Sequence, residues 1–211
     1  MKYIVTVSLV LLLSACSFRE NTEEKLSNIL TEIYNSESDY RDVQLELSET
    51  EKKEQANFQS MMELTKDQKE KLTKQVEENA NLLEKRLELV KKESASIKKA
   101  SEKMVDIDTL ISNTKDDSEK DNLKKMEEAL KNRYAAYDAL TEQYNNLANL
   151  QDELYNMLIE EDSEVKTIQD KVAEVNEQNE VVQKAVEKFN ELTTQLNQVK
   201  EKVFASFEED K

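Results

Sequence analysis

Residues 165–207 read VKTIQDKVAEVNEQNEVVQKAVEKFNELTTQLNQVKEKVFASF, and along them Val165, Ile168, Val172, Val175, Asn179, Val182, Val186, Phe189, Thr193, Leu196, Lys200, Val203 and Phe207 follow at alternating steps of three and four. That spacing keeps returning to one face of an α-helix, so the segment predicts one long amphipathic helix with a heptad seam. Polar residues interrupt the seam at Asn179, Thr193 and Lys200. Asn179 carries the sharpest expectation: a buried Asn at a seam position lowers stability yet sets register, and it should pair with a polar residue on a facing helix such as Asn79 or Ser94.

Working back along the chain, Leu123, Met126, Leu130, Tyr134, Tyr137, Leu140, Tyr144, Leu147, Leu154 and Leu158 form a second stripe. A third, Leu72, Val76, Leu83, Leu87, Val90, Ile97, Met104 and Ile111, is diluted by Asn79, Ser94 and Ser101. The weakest is the first: Leu26, Ile29, Ile33, Tyr40, Val43, Leu47, Phe58 and Met61. Thr65-Lys66-Asp67-Gln68 has the form of a capping box, the polar run from Asn113 to Asn122 ends before a restart near Asp121, and Asp162-Ser163 offers a cap ahead of Val165. The expected fold is therefore all-α: an elongated antiparallel helical bundle or coiled coil of about four long helices, each roughly 60 to 70 Å at 1.5 Å per residue. Heptads close equally well within one chain or between chains, and the sequence leaves oligomeric state open.

Composition agrees with this reading. The chain has no Gly, Pro, His or Trp, and 36% of it is charged, so almost nothing in it breaks a helix. An enzyme of this length ordinarily needs glycines for tight turns and close backbone approach. The apolar residues are spaced rather than scattered, which decides against disorder.

The N-terminus supplies an address. Lys2 gives a positive start, Ile4 to Leu13 an apolar run, and Leu13, Ser14, Ala15 and Cys16 a lipobox around the single cysteine of the chain. Such a run is too short for a spanning helix, which needs about 20 residues. Residues 1–15 are expected to be removed as a lipoprotein signal peptide. Cys16 then becomes the mature N-terminus, joined by a thioether to diacylglycerol and palmitate-type acyl chains. Residues 16–24 form a short tether and residues 25–211 the bundle. Two buried acyl chains hold far more firmly than one, so the expected location is the extracellular face of the cell membrane.

Net charge is −16, a poor match to phosphates, so nucleic acid is excluded as a partner. The absence of His removes imidazole bases and ligands. The one thiol is committed to lipid, and without glycine there is no phosphate-cradling loop. No catalytic, cofactor-binding or metal residues are assigned, and a non-enzymatic protein is expected.

Tyr134, Tyr137, Tyr144 and Tyr155 could stack on a glycan or partner, but the first three share the stripe of Leu130 and Leu147, which favours packing in the seam. Glu160-Glu161-Asp162, Asp116-Asp117 and Glu208-Glu209-Asp210 lack the pattern of an EF-hand loop and read as solvated helix ends. Lys91-Lys92 and Lys98-Lys99 read as a salt-bridged exposed face.

The lipobox followed by Glu23-Glu24-Lys25, together with Glu51-Lys52-Lys53-Glu54, Arg133-Tyr134-Ala135-Ala136-Tyr137, Leu154-Tyr155-Asn156-Met157-Leu158 and Lys188-Phe189-Asn190-Glu191-Leu192-Thr193, resembles the YkyA family of Gram-positive lipoproteins over nearly the whole mature chain. The resemblance implies an envelope location and cell-wall binding, with no enzymatic activity and no ligand residues to carry across. Two functions follow as expectations. The first is a membrane-anchored rod that binds peptidoglycan or an envelope protein as scaffold or spacer. The alternative is an extracytoplasmic holdase whose seam opens to grip unfolded clients.

Overall fold

The computed structural model describes residues 22–209. The lipobox, Cys16 and the first part of the expected tether lie outside these residues. The described chain is helical with short turns: α1 (Thr22–Ser36), α2 (Ser38–Met62), a 3-10 turn (Lys66–Gln68), α3 (Lys69–Glu102), α4 (Met104–Asn113), α5 (Asp117–Ile159) and α6 (Val165–Glu209). These make four antiparallel arms, α1 with α2, α3 with α4, then α5 and α6, as the stripes predict. Packing runs in sequence, α2 on α3, α3 on α5 and α5 on α6.

The structure departs locally from expectation at several points. The tether ends earlier, because α1 begins at Thr22 with Glu23 and Glu24 in its first turn, where carboxylates favour the positive helix end. The first arm is broken at Glu37 (φ −85°, ψ 13°). Ser96 on α3 satisfies that break, its hydroxyl donating to Ser36 O at 2.7 Å and accepting from Tyr40 N at 3.2 Å. The second arm turns tightly at Lys103 between α3 and α4, inside an apolar stripe that runs on without showing it.

The turns are made without left-handed backbone. No residue among those described has positive φ, so the common glycine C-cap is not used. Instead α4 and α5 leave through extended residues, Thr114 (ψ 131°) and Glu160 (ψ 132°). The capping box at Thr65 and Gln68 forms as expected. Helix α5 restarts at Asp117 rather than near Asp121, because Asp116 accepts from Glu119 N at 2.9 Å and caps the helix earlier. The last restart falls at Val165, where Ser163 turns its hydroxyl back to Glu160 at 3.3 Å.

Two apolar clusters fill the interior. At the end that holds Thr22, all four arms meet: Leu26, Ile33, Ile97, Ile107, Leu123, Met126, Leu130, Phe189, Val203 and Phe207 are buried together. At about 1.5–3 kcal/mol per fully buried large side chain, this cluster carries much of the stability. Thr22 bonds Glu119 at 2.7 Å and Asn122 bonds Ser206 at 2.8 Å across the same end. The second cluster, at the opposite end, groups Met61, Val76, Leu83, Ala148 and Tyr155 with Phe58, Leu72, Leu87, Leu158 and Ile159. These residues come from α2, α3 and α5; α6 is absent from the cluster.

Candidate functional site

Where α6 leaves the core, a cleft of about 830 Å3 opens between it and α2, floored by α3 and α5. That volume lies in the range of small-molecule sites, about 300–1,000 Å3. Its α6 wall presents Val175, Asn176, Asn179, Val182, Gln183 and Val186; its α2 wall presents Glu51, Glu54, Gln55, Phe58 and Gln59; Arg86, Tyr144, Leu147, Gln151, Leu154 and Tyr155 form the floor. Val186 is 39% exposed and Val165, the first seam residue, 64%. The heptad seam of α6 thus faces a groove over its first half and a core over its second.

Below the groove lies a polar network built by residues at seam positions. Glu54 and Arg86 are both buried, with Arg86 Nη1 3.2 Å from Glu54 Oε2 in an ion contact too bent for a hydrogen bond. Tyr155 donates its hydroxyl to Glu54 Oε1 at 2.6 Å, and Arg86 Nη2 donates to Gln151 Oε1. Arg86 also stands over the Tyr144 ring, 5.1 Å from its centroid, while the Tyr144 hydroxyl donates to Glu51 Oε1 at 2.6 Å. Asn79 completes the network: it accepts from Asn57 Nδ2 at 2.8 Å and donates to Glu54 O at 3.2 Å.

Burial dominates the electrostatics. It lifts the Glu54 carboxyl above the ordinary range, outweighing the opposing pull of Arg86 and the Tyr155 hydroxyl. Burial also raises Tyr144 and Tyr155, and the carboxylates beside them add to the rise. These phenols stay neutral donors, holding the carboxylates rather than reacting.

A second network crosses the bundle nearer the closed end. Arg133 donates from Nη1 and Nη2 to the two oxygens of Glu37 at 2.6 and 3.1 Å, and Tyr134 donates to Glu37 Oε1 at 3.1 Å. Arg133 Nε reaches Thr193 on α6 at 3.2 Å, and its guanidinium lies 5.0 Å from the centroid of Phe189.

The residues singled out from sequence divide clearly. Tyr134, Tyr137 and Tyr155 are buried, and Tyr144 is half-buried on the cleft floor, so packing is their main role. Asn179 is exposed on the cleft wall. The expected pairing of Asn179 with Asn79 is not made: Asn79 is fully enclosed and paired with Asn57 rather than with α6. Asp116 caps α5, Glu161 pairs with Lys69 at 2.6 Å, and Lys92 reaches Asp39 at 3.6 Å. Glu37, Arg86 and Glu93 carry no expectation from the sequence, and Glu54 and Arg133 enter only as members of the segments that carry the resemblance, although each continues the step of three or four of its stripe.

Fold and site together define an all-α bundle protein with a polar-walled groove at one end. Residues 21–206 match a family described as "YkyA: Putative cell-wall binding lipoprotein". The chain belongs to this family, and therefore to the lipoproteins held at a membrane in the cell envelope. It is 24% identical over 197 residues to "Uncharacterized lipoprotein YkyA" of Bacillus subtilis (strain 168), covering 93% of this chain and 88% of the relative. The fold recurs in the crystal structure of a conserved protein of unknown function from Staphylococcus aureus, with TM-score 0.72 at 17% identity, over 87% of this chain and 91% of that one. Among the described residues no helix is long and apolar enough to cross a membrane.

Proposed function

We propose that the protein is a non-enzymatic rod, tethered by diacylglycerol on Cys16 to the outer face of the cytoplasmic membrane, that binds peptidoglycan in the cleft between α2 and α6. The position of the cleft carries this reading. It lies at the end of the bundle away from Thr22, about 45 Å along the helices from the start of α5, so an N-terminal tether presents it outward. Gln55, Gln59, Gln151, Asn176, Asn179 and Gln183 line it with amides. Such groups match the acetamido and peptide groups of the wall, whose polar atoms need both donors and acceptors. A net charge of −16 sets the protein against the anionic wall polymers and favours the neutral glycan-peptide mesh.

Retention of the full chain, in detergent, on sacculi stripped of anionic polymers tests this. Binding that persists at high salt and is lost in the Asn179→Ala/Gln183→Ala double variant is the expected result. No retention at low salt, high salt or with calcium overturns it.

A second reading, an extracytoplasmic holdase, draws on Val175, Val182 and Val186 facing the groove. It predicts that the chain suppresses aggregation of a denatured client, which a wall-binding rod does not do.

A further inference from the structure

Among the described residues three carboxylates are buried: Glu37, Glu54 and Glu93. Arginines face two of them, Arg133 against Glu37 and Arg86 against Glu54. Glu93, only 5% exposed, has no such partner: its Oε1 accepts from Gln44 Nε2, and no Lys or Arg among the described residues lies within ion-pair distance. It lines a cavity of about 250 Å3 between α2, α3, α5 and α6, and Glu51, the other carboxylate there, bonds the Tyr144 hydroxyl and likewise has no cation. This cavity shares Glu51, Tyr144 and Val186 with the cleft and so adjoins it.

Buried carboxylates without a counter-charge are costly, and a binding cation removes the cost. The walls favour one kind of cation. Tyr40, Tyr137 and Phe189 stand edge to face with centroids 5.6 to 6.1 Å apart; Arg133 already lies 5.0 Å from the Phe189 centroid, which leaves the two tyrosine rings to offer surface to an added positive charge. Leu47, Val90 and Leu140 offer an apolar channel for a hydrocarbon stem. Thr141 and Asn190 add acceptors for a head group with several N–H donors.

We propose that this cavity binds a primary ammonium carried on a short aliphatic stem, of the lysine side-chain type, with Glu93 and Glu51 as its counter-charges. The inference rests on the cavity and not on wall binding. Around Glu93, α2 brings Glu51 and Tyr40, α5 brings Tyr137, Tyr144 and, beside Phe189, Arg133, α3 brings Arg86 over the Tyr144 ring, and α6 brings the non-ionising Val186, Phe189 and Asn190. Burial, and then Glu51, push the Glu93 carboxyl up to about 7. An ammonium binds the ionised form, so its affinity rises with pH through that region.

The test titrates the full chain in detergent with Nα-acetyl-lysine methylamide and with the norleucine analogue, which keeps the stem and lacks the charge, read by NMR shifts of the tyrosine rings. We expect binding of the lysine compound at pH 8, about tenfold weaker binding at pH 6, and none of the norleucine compound. Glu93→Gln, which keeps shape and the Gln44 contact, should weaken binding at least tenfold while the chain remains folded by circular dichroism; Glu51→Gln should do the same if the first variant melts early. Equal binding of both compounds, or no saturable shift with the lysine compound at pH 8, overturns the proposal. Sacculi with acetylated amines test the source: weaker retention than untreated sacculi identifies a wall amine, and unchanged retention excludes the wall as its source. A failure of sacculus binding alone leaves the lysine titration to decide the cavity.

Discussion

Arg133 grips Glu37 with both terminal nitrogens, at 2.6 and 3.1 Å, at the residue where the first arm breaks. The pair joins α5 to the junction of α1 and α2, and through Thr193 it also holds α6. A helix break is ordinarily a weak point, and here it is buried against a two-pronged ion pair.

Breaking that pair from one side strands a buried charge. Arg133→Met or Glu37→Leu alone should therefore cost about 3–5 kcal/mol, whereas the double replacement Glu37→Leu/Arg133→Met should cost less than the sum of the two. Denaturant melts of the four proteins check this. Additive losses would show that the pair does not act as a unit.

Glu93 makes stability depend on pH. Its folded-state pKa of about 7 lies above the unfolded value of about 4.3, so the folded protein holds a proton that the unfolded chain has released. The stabilisation is complete below about pH 4.3, declines as pH rises, and is gone above about 7. Glu93→Gln should flatten that decline and raise the melting temperature at pH 8. A variant with the same slope as the parent between pH 5 and 7 would assign the dependence to another group.

The two asparagines should respond in opposite ways. Asn79→Ala removes the bond it accepts from Asn57, which keeps its second acceptor Gln75 O, and the bond it donates to the Glu54 carbonyl inside the bundle, a loss of about 1–3 kcal/mol. Asn179→Val changes an exposed wall residue and should stay within about 0.5 kcal/mol of the parent. Thermal melts suffice, and a large effect at Asn179 would mean that α6 closes on α2 in solution.

Along α6, truncation should cost unequal amounts. Phe189→Ala removes a ring that is 4% exposed and touches Tyr40 and Tyr137, at about 3–5 kcal/mol. Val186, one turn earlier and half open to the groove, should cost much less on truncation to Ala, by the same reasoning about enclosed volume. Similar losses at both would indicate that the cleft is filled in the free protein.

The helical class, the four arms and the turns at Thr65 and before Val165 were legible because period and caps are local signals. The breaks at Glu37 and Lys103 were not, since Ser96, fifty-nine residues from Glu37 in sequence, satisfies one of them and the apolar stripe runs on through the other. The polar networks were half legible. The first stripe looks weak because its gaps at Glu37, Thr50 and Glu54 are filled by polar side chains that are themselves buried. Arg86 and Glu93 continue the steps Val76, Asn79, Leu83 and Val90 on toward Ile97. A charge on a seam step reads as an interruption until its partner on another helix is known, and that partner is a tertiary fact. Asn179 misled for the converse reason: its step is regular, but α6 has no neighbour across the groove there.

The placement of Thr22 and Phe207 at one end of the bundle, with the groove at the other, bears on how the protein responds to being pulled. Tension between a tether before Thr22 and anything held in the groove runs parallel to the helices. Separating the arms then requires them to slide past one another, so contacts along their length must yield together instead of peeling apart one turn at a time. Under the proposed wall binding, such a load path ends in the four-arm core around Leu26 and Phe207.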